Sequence, residues 1–278
     1  MKTVKNYLTL TLILSLFISS CKSDKKTDQE TDYEETVDSI TVNEPSMQEP
    51  VIDSDIKIYP VEHASMVLEY DKTVVYVDPV GGATKYANYP RPRIILITDI
   101  HQDHFDLETL EGLKTSNLMI VVPKAVAAEM PESLQSNLSV MSNGQNISMN
   151  SKTMNVTIEA IPMYNLREEA LKYHEKGRGN GYILTLGGKN IYISGDTEDI
   201  PEMRNLENID IAFVCMNLPY TMTVDSAASA VLDFKPKKVY PYHYRGTEGL
   251  SDVNKFKTLV NEGDSSIEVN LLNWYPNR

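Results

Sequence analysis

The sequence predicts a layered domain of the α/β or α+β class, and two kinds of pattern point to it. Short apolar runs rich in β-branched residues, of which residues 94–98 are the clearest, are typical of buried strands. Helix-start signals also occur, with Asp106 and Glu108 opening one candidate helix and Thr223 capping another. Strand patterns dominate the first half of the chain, and strands mixed with helices predict sheets packed against helices.

The elements follow in order along residues 56–278, which are enough for one domain with a substantial core. Strands are expected at residues 56–59, 66–70, 73–77, 94–98, 119–122, 138–141, 147–149, 154–160, 182–186, 190–194, 238–240 and 267–272. Helices are expected at residues 105–114, 123–130, 224–234 and 252–262, the last capped by Ser251. Asp71-Lys72 and Gly187-Gly188 are the expected turns of two hairpins.

Residues 1–20 have the pattern of an export signal rather than of a folded element. Two lysines give a positive start, residues 7–18 are apolar, and small residues precede Cys21. The apolar part is short for a transmembrane helix, which favours a cleaved signal peptide. Ile18-Ser19-Ser20-Cys21 resembles a bacterial lipobox, so we expect Cys21 to be lipidated. The alternative is an ordinary secretory signal with an incidental cysteine.

Residues 21–55 are expected to be a disordered, acidic tether between this anchor and the folded domain. They contain eleven acidic residues and three lysines, and few aromatic residues. Such a segment cannot bury enough apolar surface to offset its ordering entropy. The acidic residues after Lys22 also resemble surface-export signals of some Gram-negative lipoproteins. We therefore expect a cell-envelope protein, lipid-anchored in the outer membrane and facing the periplasm or the cell surface, that contacts the membrane only through its lipid.

The charge of the folded part argues against nucleic acid as the main partner. The signal carries two lysines and the tether a net charge of −8, so −7 of the chain's −13 belongs to residues 56–278. A nucleic-acid-binding domain normally presents a basic surface. We expect a small-molecule partner instead.

All five histidines of the chain lie at or near places where a predicted strand ends. The densest group follows residues 94–98 and consists of Asp99, His101, Asp103 and His104. The other candidates at such junctions are His63, Asn165, His174, Asp196 and His243. Imidazoles and carboxylates brought together from several strand ends suit Zn, Mn or Fe, so the distribution predicts a metal site. For single residues, helix capping, turn formation or packing in an aromatic cluster are the alternatives.

Motifs that stand in order along residues 56–272 resemble those of the metallo-β-lactamase-fold hydrolases. Asp99-Ile100-His101-Gln102-Asp103-His104 resembles their His-x-His-x-Asp-His motif, Gly195-Asp196-Thr197 their aspartate motif, and His243 their late histidine. His63-Ala64-Ser65 and Asp78-Pro79 resemble opening motifs of the branch that includes ascorbate-6-phosphate lactonase-like proteins. The resemblance implies a four-layer αββα sandwich with metal between the edges of two sheets.

The resemblance also implies ligand sets for one or two zinc ions, with Mn or Fe as alternatives. One ion would be bound by Asp103, His104, Asp196 and His243. The other would be bound by Asp99, His101, Asp196 and either His174 or Asn165.

Departures from the family pattern leave alternatives open. Asp99 stands where the motif has its first histidine, and it could orient a histidine instead of binding metal. Asn165 stands where the branch often has a histidine, so His174 could have taken over that role, or could be a loop histidine that contacts substrate. His63 could be a packing residue or could orient a ligand.

The implied reaction is metal-assisted hydrolysis, in which Asp196 bridges or positions the metals and Asp103 holds the nucleophile or relays its proton. Lys176 and Arg178 near the expected metal edge suggest a small anionic substrate with an ester, lactone or phosphoester bond. For either residue alone, a solvated loop charge is an equal alternative. The other candidate functions are a phosphodiesterase or phospholipase D-like hydrolase, and a metal-binding surface lipoprotein with weak catalysis.

Overall fold

The structure is a computed structural model, and it describes residues 47–151 and 154–276. The predicted signal segment, the predicted lipidation site Cys21 and the predicted tether up to residue 46 lie outside the described residues. Within the described ranges, no helix has both the length and the apolar character needed to cross a membrane.

Seven strands form the first sheet, and they lie in the order in which the chain makes them. They are β1 (Val51–Asp53), β2 (Ile56–Glu62), β3 (Ser65–Tyr70), β4 (Thr73–Val77), β5 (Ile94–Leu96), β6 (Met119–Val122) and β7 (Leu138–Val140). β1 to β4 pair antiparallel, and β4 to β7 pair parallel. Asp71-Lys72 forms the expected tight turn, because Tyr70 pairs directly with Thr73.

The second sheet also has seven strands and repeats this pairing scheme. They are β8 (Asn146–Ser151), β9 (Met154–Met163), β10 (Gly179–Leu186), β11 (Lys189–Ile193), β12 (Ile211–Cys215), β13 (Lys238–Tyr242) and β16 (Glu268–Val269). β14 (Arg245–Gly246) and β15 (Gly249–Leu250) form a separate small ladder. β8 to β11 pair antiparallel, and β11, β12, β13 and β16 pair parallel. The two halves therefore share a topology although the sequence shows no repeat.

Six α-helices accompany the sheets in the described residues: α1 (Leu107–Leu113), α2 (Lys124–Glu129), α3 (Glu132–Gln135), α4 (Pro201–Arg204), α5 (Val224–Phe234) and α6 (Val253–Gly263). Short 3₁₀ helices cover Ala83–Tyr86 and Glu168–Ala170. Thr223 caps α5 as predicted, its hydroxyl accepting from the Ser226 N–H. The predicted cap of α6 was wrong, because the Asp252 carboxylate accepts from Lys255 N–H while the Ser251 hydroxyl donates to the Met216 carbonyl.

The strands bury both faces, which places the sheets in the middle of the molecule. Along β4, Val75 and Val77 belong to the apolar cluster that the two sheets share, together with residues of β9 to β13. Val74 and Tyr76 alternate with them and pack on the other face, in a cluster with residues of α1 and α2. Helices α5 and α6 pack against the shared core from the second sheet. The predicted four-layer αββα architecture is confirmed.

The first strand begins inside the segment that was predicted to be a disordered tether. Asp53 in β1 is only 2% exposed, although it counted toward the tether's acidic character. Its Oδ1 accepts from Lys238 Nζ at 2.7 Å, and its Oδ2 accepts from the Tyr240 hydroxyl at 2.8 Å. Both partners lie on β13 of the other sheet, so Asp53 is neutralised by residues far along the chain.

Candidate metal centre

The candidate ligands meet where strands of both sheets end. His63 follows β2 and the turn 99–104 follows β5, while Asp196 follows β11 and His243 follows β13. Parallel strands present their carboxyl ends at one edge of a sheet, where sites in such folds form. Because each sheet contributes its edge, His63 and His243 lie with their Nδ1 atoms 3.1 Å apart although 180 positions separate them in the sequence.

Three buried side chains, His104, Asp196 and His243, form the better-assembled part of the site, and we call them the His104 cluster. The Nε2 atoms of His104 and His243 are 3.1 Å apart. Asp196 Oδ2 lies 3.4 Å from His104 Nε2, and Asp196 Oδ1 lies 3.0 Å from His243 Nε2. Two ligands of one tetrahedral zinc ion are separated by about 3.3 Å, given bonds of about 2.0–2.1 Å. The spacing of the His104 cluster therefore suits one metal ion.

Two buried atoms at this site lack the hydrogen bond that burial normally requires. Asp196 Oδ1 and His174 Nε2 have no hydrogen-bond partner among the described residues. Leaving such a group unpaired costs about 1–3 kcal/mol, so an unpaired carboxylate oxygen and imidazole nitrogen point to a missing ligand. Imidazole and carboxylate are the donor types that Zn, Mn and Fe accept. The residues present fit a metal ion.

The orientation of His104 is set by a residue that the sequence analysis did not include among the site residues. The Nδ1 atom of His104 lies 2.8 Å from Asp78 Oδ2 and 3.0 Å from the Thr98 hydroxyl. Asp78 is fully buried and also accepts the Thr98 backbone N–H at 2.7 Å. A carboxylate behind a ligating histidine fixes its ring and its tautomer. The Asp78-Pro79 motif at the end of β4 was the available signal.

The pKa values of Asp196 and His104 are shifted by burial and by the charges of neighbouring side chains. Burial would raise the pKa of Asp196, but His243 and His104 hold it well below its ordinary value. Burial would likewise lower the pKa of His104, yet the carboxylates of Asp196, Asp78 and Asp103 raise it well above its usual range. The three carboxylates therefore favour the protonated form of His104. A metal ion competes with that proton for the same nitrogen.

Asp103 and His63 lie beside the His104 cluster. Asp103 Oδ2 is 3.6 Å from His243 Nε2 and 3.3 Å from His63 Nε2, and its side chain is partly exposed. Burial and the charge of His243 lower the pKa of His63 to about 4, so its ring stays neutral near pH 7. The Tyr275 hydroxyl holds His63 Nδ1 at 2.8 Å. His63 and His243 both have positive φ angles, of 56° and 46°, a strained conformation that is common at functional sites.

The residues of the second implied ligand set also lie close together, but Asp99 among them already contacts other side chains. Ligand atoms of Asp99, His101 and His174 lie within 4.8 Å of one another. His174 Nε2 is 3.2 Å from Asp196 Oδ2 and 3.9 Å from Asp99 Oδ2. Asp99 Oδ2, however, already contacts His101 Nδ1 at 2.8 Å and Arg178 Nη2 at 2.8 Å. Burial would raise the pKa of Asp99, but His101, His104 and Arg178 lower it.

Asn165 hydrogen-bonds backbone carbonyls of neighbouring segments and does not take the place of a metal ligand. Its side-chain amide donates to the carbonyls of Ala170, at 2.9 Å, and Tyr220, at 2.7 Å. The Tyr220 carbonyl also lies 3.1 Å from His174 Nδ1. Nε2 of His174 is thus the atom that faces Asp196, and Asn165 helps to hold the segment that carries it.

The two basic residues that suggested an anionic substrate are both engaged in ion pairs. Lys176 Nζ contacts Glu202 Oε1 at 2.8 Å and the Tyr164 hydroxyl at 3.2 Å. Arg178 donates through Nε and Nη2 to the two oxygens of Asp99. Their positive charges are therefore neutralised within the chain, and the expected anion-binding role gains no support from the geometry.

A family model described as a beta-lactamase superfamily domain matches residues 57–243, which contain every candidate ligand. The chain belongs to the beta-lactamase superfamily. It is 30% identical over 209 residues to a UPF0173 metal-dependent hydrolase of Methanosphaera stadtmanae, covering 72% of this chain and 88% of that protein. It is 29% identical over 217 residues to a protein of the same name from Pyrococcus abyssi, covering 74% of this chain and 93% of that protein.

A solved structure supports the same assignment. A crystal structure from Parabacteroides distasonis, named as a candidate metal-dependent hydrolase, superposes with a TM-score of 0.68 at 38% identity. The match covers 79% of this chain and 94% of that one. The predicted fold and the predicted enzyme class, a metal-dependent hydrolase of this superfamily, are confirmed.

Proposed function

We propose that this superfamily member is a zinc-dependent hydrolase that uses water to cleave an ester, lactone or phosphoester bond of a small molecule. The observation that carries the proposal is Asp196 Oδ1, a buried carboxylate oxygen without a hydrogen-bond partner that faces His243 Nε2 at 3.0 Å. A bound zinc ion supplies Lewis acidity and makes water acidic enough to react near neutral pH. Mn or Fe would suit the same donors, and metal loading decides between them.

The chain's own residues have distinct roles in this proposal. His104, Asp196 and His243 would hold the ion, and Asp78 fixes the ring of His104. Asp103 is partly exposed and lies 3.6 Å from His243 Nε2, where its carboxylate could accept a hydrogen bond from the attacking water and align it. Burial would raise the pKa of Asp103, but His104 and His63 lower it, so the side chain is ionised at the pH of the reaction.

Fewer observations bear on the class of substrate than on the class of reaction. The opening motifs, which resemble those of lactonase-like proteins, favour a lactone or ester, and a phosphodiester or phospholipid headgroup bond is the second candidate. An anionic substrate would need cationic groups other than Lys176 and Arg178, because both are paired. We further propose that lipidated Cys21 anchors the protein to the outer membrane, on the strength of the signal pattern.

The test uses full-length protein purified without chelator and loaded separately with zinc, manganese or iron. We expect turnover in a panel of chromogenic esters, lactones, phosphomonoesters and phosphodiesters, loss of that turnover on chelation, and recovery with zinc. Asp103→Asn should abolish turnover and leave the fold intact, while the matched control Asp225→Asn, on the exposed face of α5, should behave as wild type. A chain that takes up no metal, or an Asp103→Asn variant with full activity, would overturn the proposal.

A further inference from the structure

Asp99, His101 and Arg178 contact one another and form a group that we call the Asp99 cluster. The Asp99 carboxylate is fully buried and accepts from Arg178 Nε at 3.1 Å through Oδ1 and from Arg178 Nη2 at 2.8 Å through Oδ2. The same Oδ2 lies 2.8 Å from His101 Nδ1. A carboxylate oxygen has two lone pairs, so both lone pairs of Oδ2 are used inside the cluster. Asp99 could bind a metal ion through Oδ2 only by giving up one of these partners.

His101 is hydrogen-bonded to Asp99 through Nδ1, and its Nε2 makes only a long contact with Arg178. An ionised carboxylate only accepts hydrogen bonds, so the His101 Nδ1 atom that contacts Asp99 must carry the proton and has no lone pair for a metal. Its Nε2 lies 3.5 Å from Arg178 Nη2. The 2.8 Å separation of Asp99 and His101 is a hydrogen-bond length, shorter than the roughly 3.3 Å between two ligands of one tetrahedral ion.

Arg178 is the last residue of a turn, and strand β10, which begins at the next residue, anchors it beside Asp99. Gly179 starts β10, and a Cβ atom at that position would lie only 2.8 Å from the Thr98 carbonyl oxygen. The Asn180 N–H donates to that same carbonyl at 2.9 Å. Asp99 directly follows Thr98, and Arg178 directly precedes Gly179. These backbone contacts therefore hold Arg178 beside Asp99.

We propose that the metal centre, on the function proposed above, binds a single ion at the His104 cluster, and that Arg178 excludes a second ion by neutralising Asp99. A guanidinium and a dication repel each other strongly at such short range in a buried site. Arg178 is thus a positioning residue that takes the place of the second ion's positive charge. His174 Nε2 lies 3.2 Å from Asp196 Oδ2, on the side of the His104 cluster.

The test is the metal content of full-length protein after saturation with zinc and removal of free metal. We expect one equivalent for wild type and for Arg178→Lys, which keeps the charge, and two equivalents for Arg178→Met, which frees the Asp99 carboxylate. The matched control is Arg204→Met, which also removes an arginine paired with two carboxylates, Asp199 and Asp233, and should bind one equivalent.

Two equivalents in wild type would overturn this inference while leaving the proposed function standing, whereas no bound metal would overturn the proposed function itself. One equivalent in a folded Arg178→Met variant would overturn the excluding role of Arg178. If that variant does not fold, Asp99→Asn replaces it. We expect Asp99→Asn to bind one equivalent with a chelator-competition Kd within about tenfold of wild type, and a fall below one equivalent would overturn the inference.

Discussion

The His104 cluster and the Asp99 cluster use the same kinds of side chain, yet they are prepared for different partners. In the His104 cluster, contacts of 3.0–3.4 Å leave Asp196 Oδ1 without a hydrogen-bond partner. In the Asp99 cluster, contacts of 2.8 Å between Oδ2 and its neighbours use both lone pairs of that oxygen. The cation that distinguishes the Asp99 cluster is Arg178, which lies 79 positions from Asp99 in the sequence. A motif of histidines and aspartates therefore predicts metal ligands only where these side chains are not already paired with another cation.

The strongest test of the comparison is removal of a ligand from the His104 cluster. His104→Ala deletes a fully buried imidazole and leaves Asp78 and Asp196 facing each other without it. We expect loss of bound zinc and a fall in kcat/KM of at least about 10³-fold, or about 4 kcal/mol of transition-state stabilisation. Metal analysis and steady-state kinetics measure both effects. Retained zinc with retained activity would remove the basis for calling this cluster the metal site.

A second test uses pH, through the buried neutral ring of His63. Burial and His243 lower its pKa from 6.5 to about 4. Between pH 6.5 and about 4, His63 is therefore protonated in the unfolded chain but neutral in the folded chain. Acidification from pH 6.5 to about 4 should therefore destabilise the metal-free fold, by on the order of 3 kcal/mol from this group. His63→Gln should lose that share of the pH dependence in urea unfolding. Equal slopes for both proteins would contradict the assignment.

A third test concerns the residue behind His104. Asp78→Asn keeps the shape of the side chain but removes the carboxylate that holds His104 Nδ1. We expect zinc affinity, measured by competition with a chelator, to fall by about 10–100-fold. Asp53→Asn is the matched control, since Asp53 is also a buried carboxylate but bonds Lys238 and Tyr240 instead of a site residue. Equal losses in the two variants would point to general destabilisation.

The smallest effect is expected in the Asp99 cluster. His101→Ala removes a partly exposed ring that bonds only within that cluster, and it should leave one zinc equivalent bound. We expect a change in zinc affinity of less than about tenfold, the lower end of what a residue outside the ligand set costs. A loss as large as that of His104→Ala would mean that the two clusters do not differ as described.

The ends of the strands could be predicted from the sequence. It could therefore also be predicted that His104, Asp196 and His243 lie close together. Apolar runs fix where parallel strands stop, and the residues that follow must meet at one edge. Asp78 was recognisable in its motif, but its role depends on the packing of β4 beside β5, which composition does not reveal.

The pairing of charged residues was out of reach of the sequence. Arg178 and Lys176 stand two positions apart, and nothing local distinguishes a substrate contact from an ion pair with Asp99 or Glu202. The start of the domain was set too late for the same reason. Asp53 contributes to an acidic stretch in the sequence, but in the fold it bonds Lys238, 185 positions away. Long-range ion pairs depend on the completed sheets.

The most direct test of the asymmetry between the two clusters is anomalous diffraction at the zinc edge from crystals of zinc-loaded full-length protein. We expect one anomalous peak, contacting His104, Asp196 and His243, with the hydrogen bonds between Arg178 and Asp99 intact. A second peak of comparable height within bonding distance of Asp99, with Arg178 displaced from it, would contradict the account.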